Sequence, residues 1–78
     1  MKFIRFAIIN NPDFIDIPVP DIKKVCSFDI TKSAQNSIYI ALNNPNMKAI
    51  YIETKSGNDI GFSKDKLDYF CVVEKNKK

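Results

Sequence analysis

The chain has 78 residues, of which 45% are hydrophobic and 27% are charged, and its formal net charge is +3. A chain of this length has room for one hydrophobic core, and a composition this apolar argues against a disordered protein. The apolar run at residues 3–9 contains Arg5 and is too short for a membrane span or a signal peptide, so we expect a cytoplasmic protein with no membrane partner.

The N-terminal part of the chain predicts two strands joined by a turn. Residues 2–9 carry apolar side chains on both faces, which indicates an inner strand of a sheet. A turn at residues 10–13 leads to a second strand at residues 14–17. We place this second strand at an edge, because Pro18 and Pro20 cannot donate a hydrogen bond to a neighbouring strand.

The middle of the chain is harder to interpret. After one helical turn at residues 20–24, residues 25–31 alternate apolar and polar side chains, as a half-buried strand does. Residues 37–42 fit a strand, but the apolar residues of this stretch also fit a helical stripe with Thr31 as the N-cap. The pattern alone does not decide whether residues 31–44 are strand or helix.

A register argument favours the strand. If residues 43–47 form a loop between two paired strands, Ile40 lies opposite Ile50 and Tyr39 lies opposite Tyr51. In this register isoleucine pairs with isoleucine and tyrosine pairs with tyrosine across the hairpin, and each strand keeps its isoleucines on one face. We therefore expect a hairpin here.

The C-terminal third predicts another strand and a short helix. A turn at residues 56–59 returns the chain, so that the following strand adds its apolar residues to the face that carries Ile52. Ser63 is a candidate N-cap for a C-terminal helix. Residues 71–74 fit either the end of that helix or a last strand.

Together these elements predict an α+β fold that is mostly β. We expect a small antiparallel sheet of four to five strands with a short C-terminal helix, in a single compact domain at residues 1–74. Residues 75–78 are rich in lysine and are expected to form a flexible tail. Cys26 and Cys71 lie among apolar neighbours and are expected to remain thiols.

The residue types that most catalytic sites need are missing from this sequence. There is no histidine, and the chain holds only two glycines and two cysteines. Without histidine there is no Ser–His or Cys–His pair, and two distant cysteines do not make a structural zinc site. We therefore expect no enzymatic activity, no metal and no cofactor.

One short stretch resembles a known family. The sequence Ser-Ile-Tyr at residues 37–39, followed by Tyr-Ile-Glu at residues 51–53, resembles the paired-strand signature of the GIY-YIG nucleases. In that family glycines begin and end the motif, and a later arginine and glutamate take part in the chemistry. Here Ser37 and Glu53 replace the glycines, no arginine follows, and Glu74 is the sole later glutamate. The resemblance implies a hairpin of two strands, but the nuclease chemistry does not carry over.

Two groups of residues are candidates for binding. Tyr39 and Tyr51 would form an aromatic patch on the hairpin, and tyrosine is enriched at protein interfaces. The alternative is that these rings cover a second layer of the domain. The second group consists of lysines that would hold an acidic partner or phosphates, or else serve as a solvated surface that guards strand edges; its members are Lys23, Lys24, Lys48 and Lys55.

These observations favour a small non-catalytic binding protein whose partner is another protein. The abundance of isoleucine, lysine and asparagine is typical of AT-rich genomes, and motif-free domains of this size resemble phage or mobile-element proteins that inhibit a host protein. The alternative is a non-specific nucleic-acid-binding module that uses lysines and exposed aromatics. Base recognition is less favoured, because Arg5 is the chain's single arginine. A homodimer formed through an edge strand is a further alternative.

Overall fold

The computed structural model describes residues 1–75, which form two antiparallel sheets and one helix. Residues 76–78, most of the predicted tail, lie outside the described residues. Helix α1 spans Ala34–Leu42, and two short 3₁₀ turns lie at Val19–Asp21 and Lys64–Lys66. In chain order the strands are β1 (Lys2–Ile8), β2 (Phe14–Pro18), β3 (Ile22–Val25), β4 (Phe28–Asp29), β5 (Ala49–Thr54), β6 (Ile60–Ser63) and β7 (Leu67–Glu74).

The first sheet has three strands in the order β2, β1, β7. The prediction of β1 as an inner strand is confirmed, because it pairs with β2 on one side and with β7 on the other. Its buried face carries Ile4 and Phe6, both without solvent exposure. The edge position of β2 is confirmed as well, and this strand ends at Pro18, as the missing N–H of proline requires.

The second sheet has four strands in the order β4, β3, β5, β6. The predicted turn at residues 56–59 is present, and the register that it sets pairs Ile52 with Ile60 and Ile50 with Phe62. These four side chains therefore share the face that points into the core. This part of the register argument is confirmed.

The strand predicted at residues 37–42 is wrong, because these residues belong to α1. The helix begins after Ser33, whose Oγ accepts a hydrogen bond of 3.0 Å from the Asn36 N–H, so Ser33 and not Thr31 is the N-cap. Ala34, Ile38 and Ala41 follow at helical spacing and are buried together. The matching residue pairs of the expected hairpin were coincidental, and the hairpin that the nuclease resemblance implied is also absent.

The predicted C-terminal helix is wrong too. Ser63 makes no capping hydrogen bond, and the chain passes through a 3₁₀ turn into β7, so residues 71–74 are strand. The physical reason lies in β1. Without β7 the backbone N–H and C=O groups along one side of β1 would lack partners, and pairing with β7 satisfies them.

The single half-buried strand predicted at residues 25–31 is a tight hairpin in the structure. Cys26 and Ser27 turn the chain with φ of 52° and 69°, which joins β3 to β4. Positive φ at both central residues is the geometry of a type I′ turn, where glycine and asparagine are usual. The sequence lacks this signal, so the turn was missed. The helical turn expected at residues 20–24 lies slightly earlier, at Val19–Asp21.

The two sheets and the helix share one core. Its largest fully buried side chains come from all three layers: Phe6, Ile4, Ile38, Ile50 and Ile52. Phe6 also packs edge to face on Phe62, with ring centroids 5.0 Å apart, which joins the first sheet to the second. The outer faces of both sheets and one side of α1 are left towards solvent.

Candidate functional site

An apolar groove lies between the β3–β4 hairpin and helix α1. It encloses a volume of about 280 Å³. The hairpin contributes one wall and the helix with its following loop contributes the other. The groove is lined by Val25, Phe28, Asp29, Thr31, Ser37, Ile40, Ala41, Asn44 and Met47.

Two large apolar side chains stand exposed in this groove. Phe28 on the hairpin is 65% exposed, and Ile40 on the helix is 54% exposed. A single exposed apolar residue is normal on a protein surface. Here two of them line the same concave site, one from each wall.

Local sequence features place the two walls. The left-handed residues Cys26 and Ser27 reverse the chain directly before Phe28, so this ring lies on a strand of only two residues. The connection to the helix is then fixed by Ser37, whose Oγ accepts a 2.7 Å hydrogen bond from the Thr31 N–H. The hairpin and the helix are therefore held together at the base of the groove.

Several polar groups of the groove are hydrogen-bonded to neighbouring residues. The Thr31 carbonyl accepts a hydrogen bond of 3.0 Å from the Asn36 side-chain amide. At the other end, the Asn44 carbonyl accepts a 2.9 Å hydrogen bond from Lys64 Nζ, and the Asn44 side-chain oxygen accepts one from the Asn46 N–H. The Asp29 carboxylate, by contrast, is 91% exposed at the edge of the hairpin wall.

Tyr39 and Tyr51 do not lie side by side as the expected hairpin required. Tyr39 is on α1, and its ring packs edge to face on Phe70 of β7 with centroids 6.0 Å apart. Tyr51 is on β5, and its hydroxyl donates a 3.1 Å hydrogen bond to Asp59. This bond raises the pKa of Tyr51, because loss of the proton would place two negative charges together.

The predicted lysines are spread over the second sheet. Lys48 and Lys55 flank β5 at its two ends, which separates their Cα atoms by roughly 20 Å at the usual rise of a strand. Lys23 and Lys24 lie on β3, where Lys24 Nζ is 3.9 Å from a carboxylate oxygen of Asp29. The structure therefore brings Lys23 and Lys24 together but does not gather all four.

Acidic residues accompany these lysines on the outer side of the second sheet. Lys24 is opposite Glu53 across the strand pair, and Asp59 lies close enough to Lys23 for their charges to interact. The pKa of Asp59 is lowered, first by the hydrogen bond of 2.9 Å from the Thr54 N–H and then by the Tyr51 hydroxyl. The charges on this face are thus mixed in sign.

A second charged cluster lies on the outer face of the first sheet. Arg5 donates two hydrogen bonds of 2.9 Å to the two oxygens of Asp16, and Lys75 Nζ lies 2.7 Å from the same carboxylate. The Arg5 guanidinium also stacks over the Phe14 ring, 4.5 Å from its centroid. The paired arginine holds the pKa of Asp16 at about 2.

Neither a cluster of metal-binding side chains nor a membrane-spanning helix is present among residues 1–75. Among them no three histidine, cysteine, aspartate or glutamate side chains are grouped as a metal ion needs. The single α-helix in this part of the chain is too short to cross a membrane. Comparison of the chain with protein-family models, with curated proteins and with solved structures finds no match.

Sequence reasoning missed both Phe28 and Ile40. Phe28 was assigned to the buried side of a strand, and Ile40 was assigned to the apolar face of the expected hairpin. A helical interpretation of residues 34–42 would have exposed Ile40, because it lies outside the stripe formed by Ala34, Ile38 and Ala41. The exposure of Phe28 depends on the turn at residues 26–27, for which the sequence gives no signal.

Proposed function

We propose that this protein is a non-catalytic binding domain that recognises another protein through the groove between the β3–β4 hairpin and α1. The observation that carries the proposal is the pair of exposed side chains, Phe28 and Ile40, which line one concave surface from its two walls. The centres of protein interfaces bury apolar anchors of this kind in pockets from which water is excluded.

The size of the groove supports a protein partner over a small molecule. Pockets for drug-sized ligands range from about 300 to 1,000 Å³ and use a few free polar groups to orient the ligand. At about 280 Å³ this groove is just below that range. It fits one bulky apolar side chain of a partner, with Phe28 and Ile40 packing around it.

The surface charges favour a protein partner over a nucleic acid. Non-specific binding of nucleic acid needs a continuous positive surface that follows the phosphates. On the outer side of the second sheet, Lys23 and Lys24 are accompanied by Asp29, Glu53 and Asp59. These carboxylates offset the positive potential of the lysines.

We place the protein in the cytoplasm, where both cysteines persist as the free thiols seen in the structure. Inhibition of a host protein by a phage or mobile-element product is the form of binding that the size and composition of the chain favour. In that role the protein would bind, through its groove, a surface that the host protein needs in order to bind its own partner.

Affinity capture tests the proposal. The tagged wild-type protein and the double variant Phe28→Ala with Ile40→Ala are used as baits in a lysate of a low-GC bacterium, and captured proteins are quantified by mass spectrometry. We expect a partner that the wild type retains and the double variant loses. Both side chains are more than half exposed, so the double variant should remain folded.

Ile9→Ala serves as the matched control, because Ile9 is an exposed isoleucine in the turn after β1, away from the groove. It should retain the partner in full. Equal capture by the double variant, or equal loss with Ile9→Ala, would contradict the assignment of the groove as the binding site.

A further inference from the structure

The free edges of the two sheets are protected to different degrees. The outer strand β2 ends in Pro18 and is preceded by Pro12, and these prolines limit pairing at that edge. In the second sheet β4 has two residues and β6 has four, which offers little length for pairing. Strand β7 has eight residues, contains no proline and, among the described residues, pairs with β1 alone.

The hydrogen-bond pattern shows which backbone groups of β7 remain free. Met1 and Lys75 exchange two hydrogen bonds of 2.9 Å, each from the N–H of one to the carbonyl of the other. In an antiparallel pair such bonded residues alternate with residues that face away. Along the register that follows, Val73 and Cys71 bond to β1, whereas Val72 directs its N–H and C=O to the open edge.

The same alternation applies to the neighbouring residues Phe70 and Glu74, which also face the open edge. The run between Asp68 and Glu74 is uncharged and rich in aromatic and β-branched residues, the types that favour strands. Phe70 and Val72 are opposite Phe6 and Ile4, so their side chains are on the inner face. On that side Tyr39 of α1 packs against Phe70 and adds an exposed aromatic ring beside the edge.

The geometry points to strand addition at β7: an extended segment of a partner protein pairs with the free edge and becomes the fourth strand of the first sheet. Its backbone completes the hydrogen bonds of Phe70, Val72 and Glu74. Its apolar side chains extend over the inner face beside Tyr39, and a basic residue at its end meets the exposed carboxylate of Asp68. This inference rests on the proposed role in protein binding but uses a surface other than the groove.

A second copy of the chain fits this edge less well than a partner does. Two copies related by a two-fold axis pair their edges antiparallel. If the whole run from Asp68 to Glu74 pairs with itself, Asp68 of one copy is opposite Glu74 of the other at both ends. The Glu74 carboxylate already holds the Met1 ammonium at 2.9 Å. A second copy therefore places a carboxylate that is already paired opposite Asp68, whereas a partner segment can place a lysine or arginine there.

Nuclear magnetic resonance with a synthetic peptide tests this inference. The probe is the peptide Lys-Val-Thr-Val-Thr-Val-Lys, added to the ¹⁵N-labelled protein while amide shifts are recorded. We expect the largest shifts at the amides of Phe70, Val72 and Glu74. The pairing places the valine side chains on the inner face and therefore directs the valine N–H groups to β7.

Two methylated peptides serve as matched controls that leave the protein unchanged. Methylation of the three valine nitrogens should weaken binding by about tenfold or more, because it removes the pairing N–H groups, whereas methylation of the threonine nitrogens should have little effect. A peptide with glutamate in place of the lysine that lies beside Asp68 should bind more weakly than the lysine peptide to the wild type. The Asp68→Lys variant should reduce or reverse this preference.

Several outcomes would overturn strand addition at β7. These are the absence of any shift, shifts confined to β2 or the groove, and equal binding by the valine-methylated peptide. Amide shifts of β7 that depend on protein concentration in the absence of peptide would show that a second copy of the chain, and not a partner segment, pairs with this edge. Ile40→Ala should leave peptide binding intact, so a failure of the proposed groove is distinguishable from a failure of this edge.

Discussion

At the scale of single residues, the Arg5–Asp16 pair is a bidentate ion pair on the outer face of the first sheet. Asp16 is largely shielded from solvent, receives two hydrogen bonds from Arg5 and lies beside Lys75. Its pKa falls from the ordinary value of 3.8 to about 2, chiefly through the hydrogen bonds of Arg5. The folded state therefore binds the proton less tightly than the unfolded state does.

The pH dependence of stability follows from this lowered pKa. The stabilisation by ionised Asp16 is fully present above about pH 3.8 and is lost as the pH falls towards about 2. Asp16→Asn should lower the free energy of unfolding by about 2 kcal/mol at neutral pH, and the difference from wild type should shrink over that range. Urea denaturation at several pH values measures it. Asp13→Asn, in the exposed turn, is the control, and an equal effect of both substitutions would contradict the assignment.

Substitutions of two isoleucines on α1 distinguish a side chain that stabilises the fold from one that is proposed to bind the partner. Ile38 has no solvent exposure and Ile40 is 54% exposed. Ile38→Ala should cost about 2–5 kcal/mol of stability because it leaves a cavity in the core. Ile40→Ala should change stability by no more than about 0.5 kcal/mol. Thermal and urea unfolding of the two variants compare these costs, and a large loss for Ile40→Ala would mean that this side chain serves the fold.

At the scale of elements, the N-cap decides where α1 begins. Ser33→Ala removes the hydrogen bond from Ser33 Oγ to the Asn36 N–H and should cost about 1 kcal/mol. Ser63→Ala is the matched control, because Ser63 precedes a 3₁₀ turn and makes no capping bond. Chemical denaturation of both variants measures the difference. Equal costs would show that the helix does not depend on this cap.

The helix also shows why the sequence misled at the element scale. Residues 37–42 satisfy two periods at once: Ile38 and Ile40 alternate as in a strand, while Ala34, Ile38 and Ala41 follow a helical stripe. The tertiary structure selects the stripe, because the helix covers the faces of β3 and β5. The expected pairing of residues 37–42 with residues 48–52 considered two strands and did not include a helix packed on the sheet.

At the scale of the whole molecule, strong local patterns were predictable and long-range partners were not. The inner strand β1, the edge strand β2 and the turn at residues 56–59 follow from apolar patterning and turn residues. The division into two sheets depends on β7 returning to β1, a contact between the two ends of the chain. No local pattern specifies that contact, so a single sheet was expected.

The candidate site was less predictable than the fold for the same reason. The groove forms where a hairpin and a helix meet, and its residues are spread from Val25 to Met47. The aromatic patch of Tyr39 and Tyr51 was derived from the expected hairpin, which the structure replaces with a helix. The exposure of Phe28 and Ile40 becomes visible only when both elements are in place.

The most direct test of the account is the affinity of the purified partner for the Ile40→Ala variant, measured by calorimetry beside wild type and Ile9→Ala. If the groove is the binding site, Ile40→Ala weakens binding by about tenfold or more while its unfolding free energy stays close to that of wild type. Ile9→Ala then binds as wild type does. Binding of Ile40→Ala as tight as that of wild type would contradict the central claim.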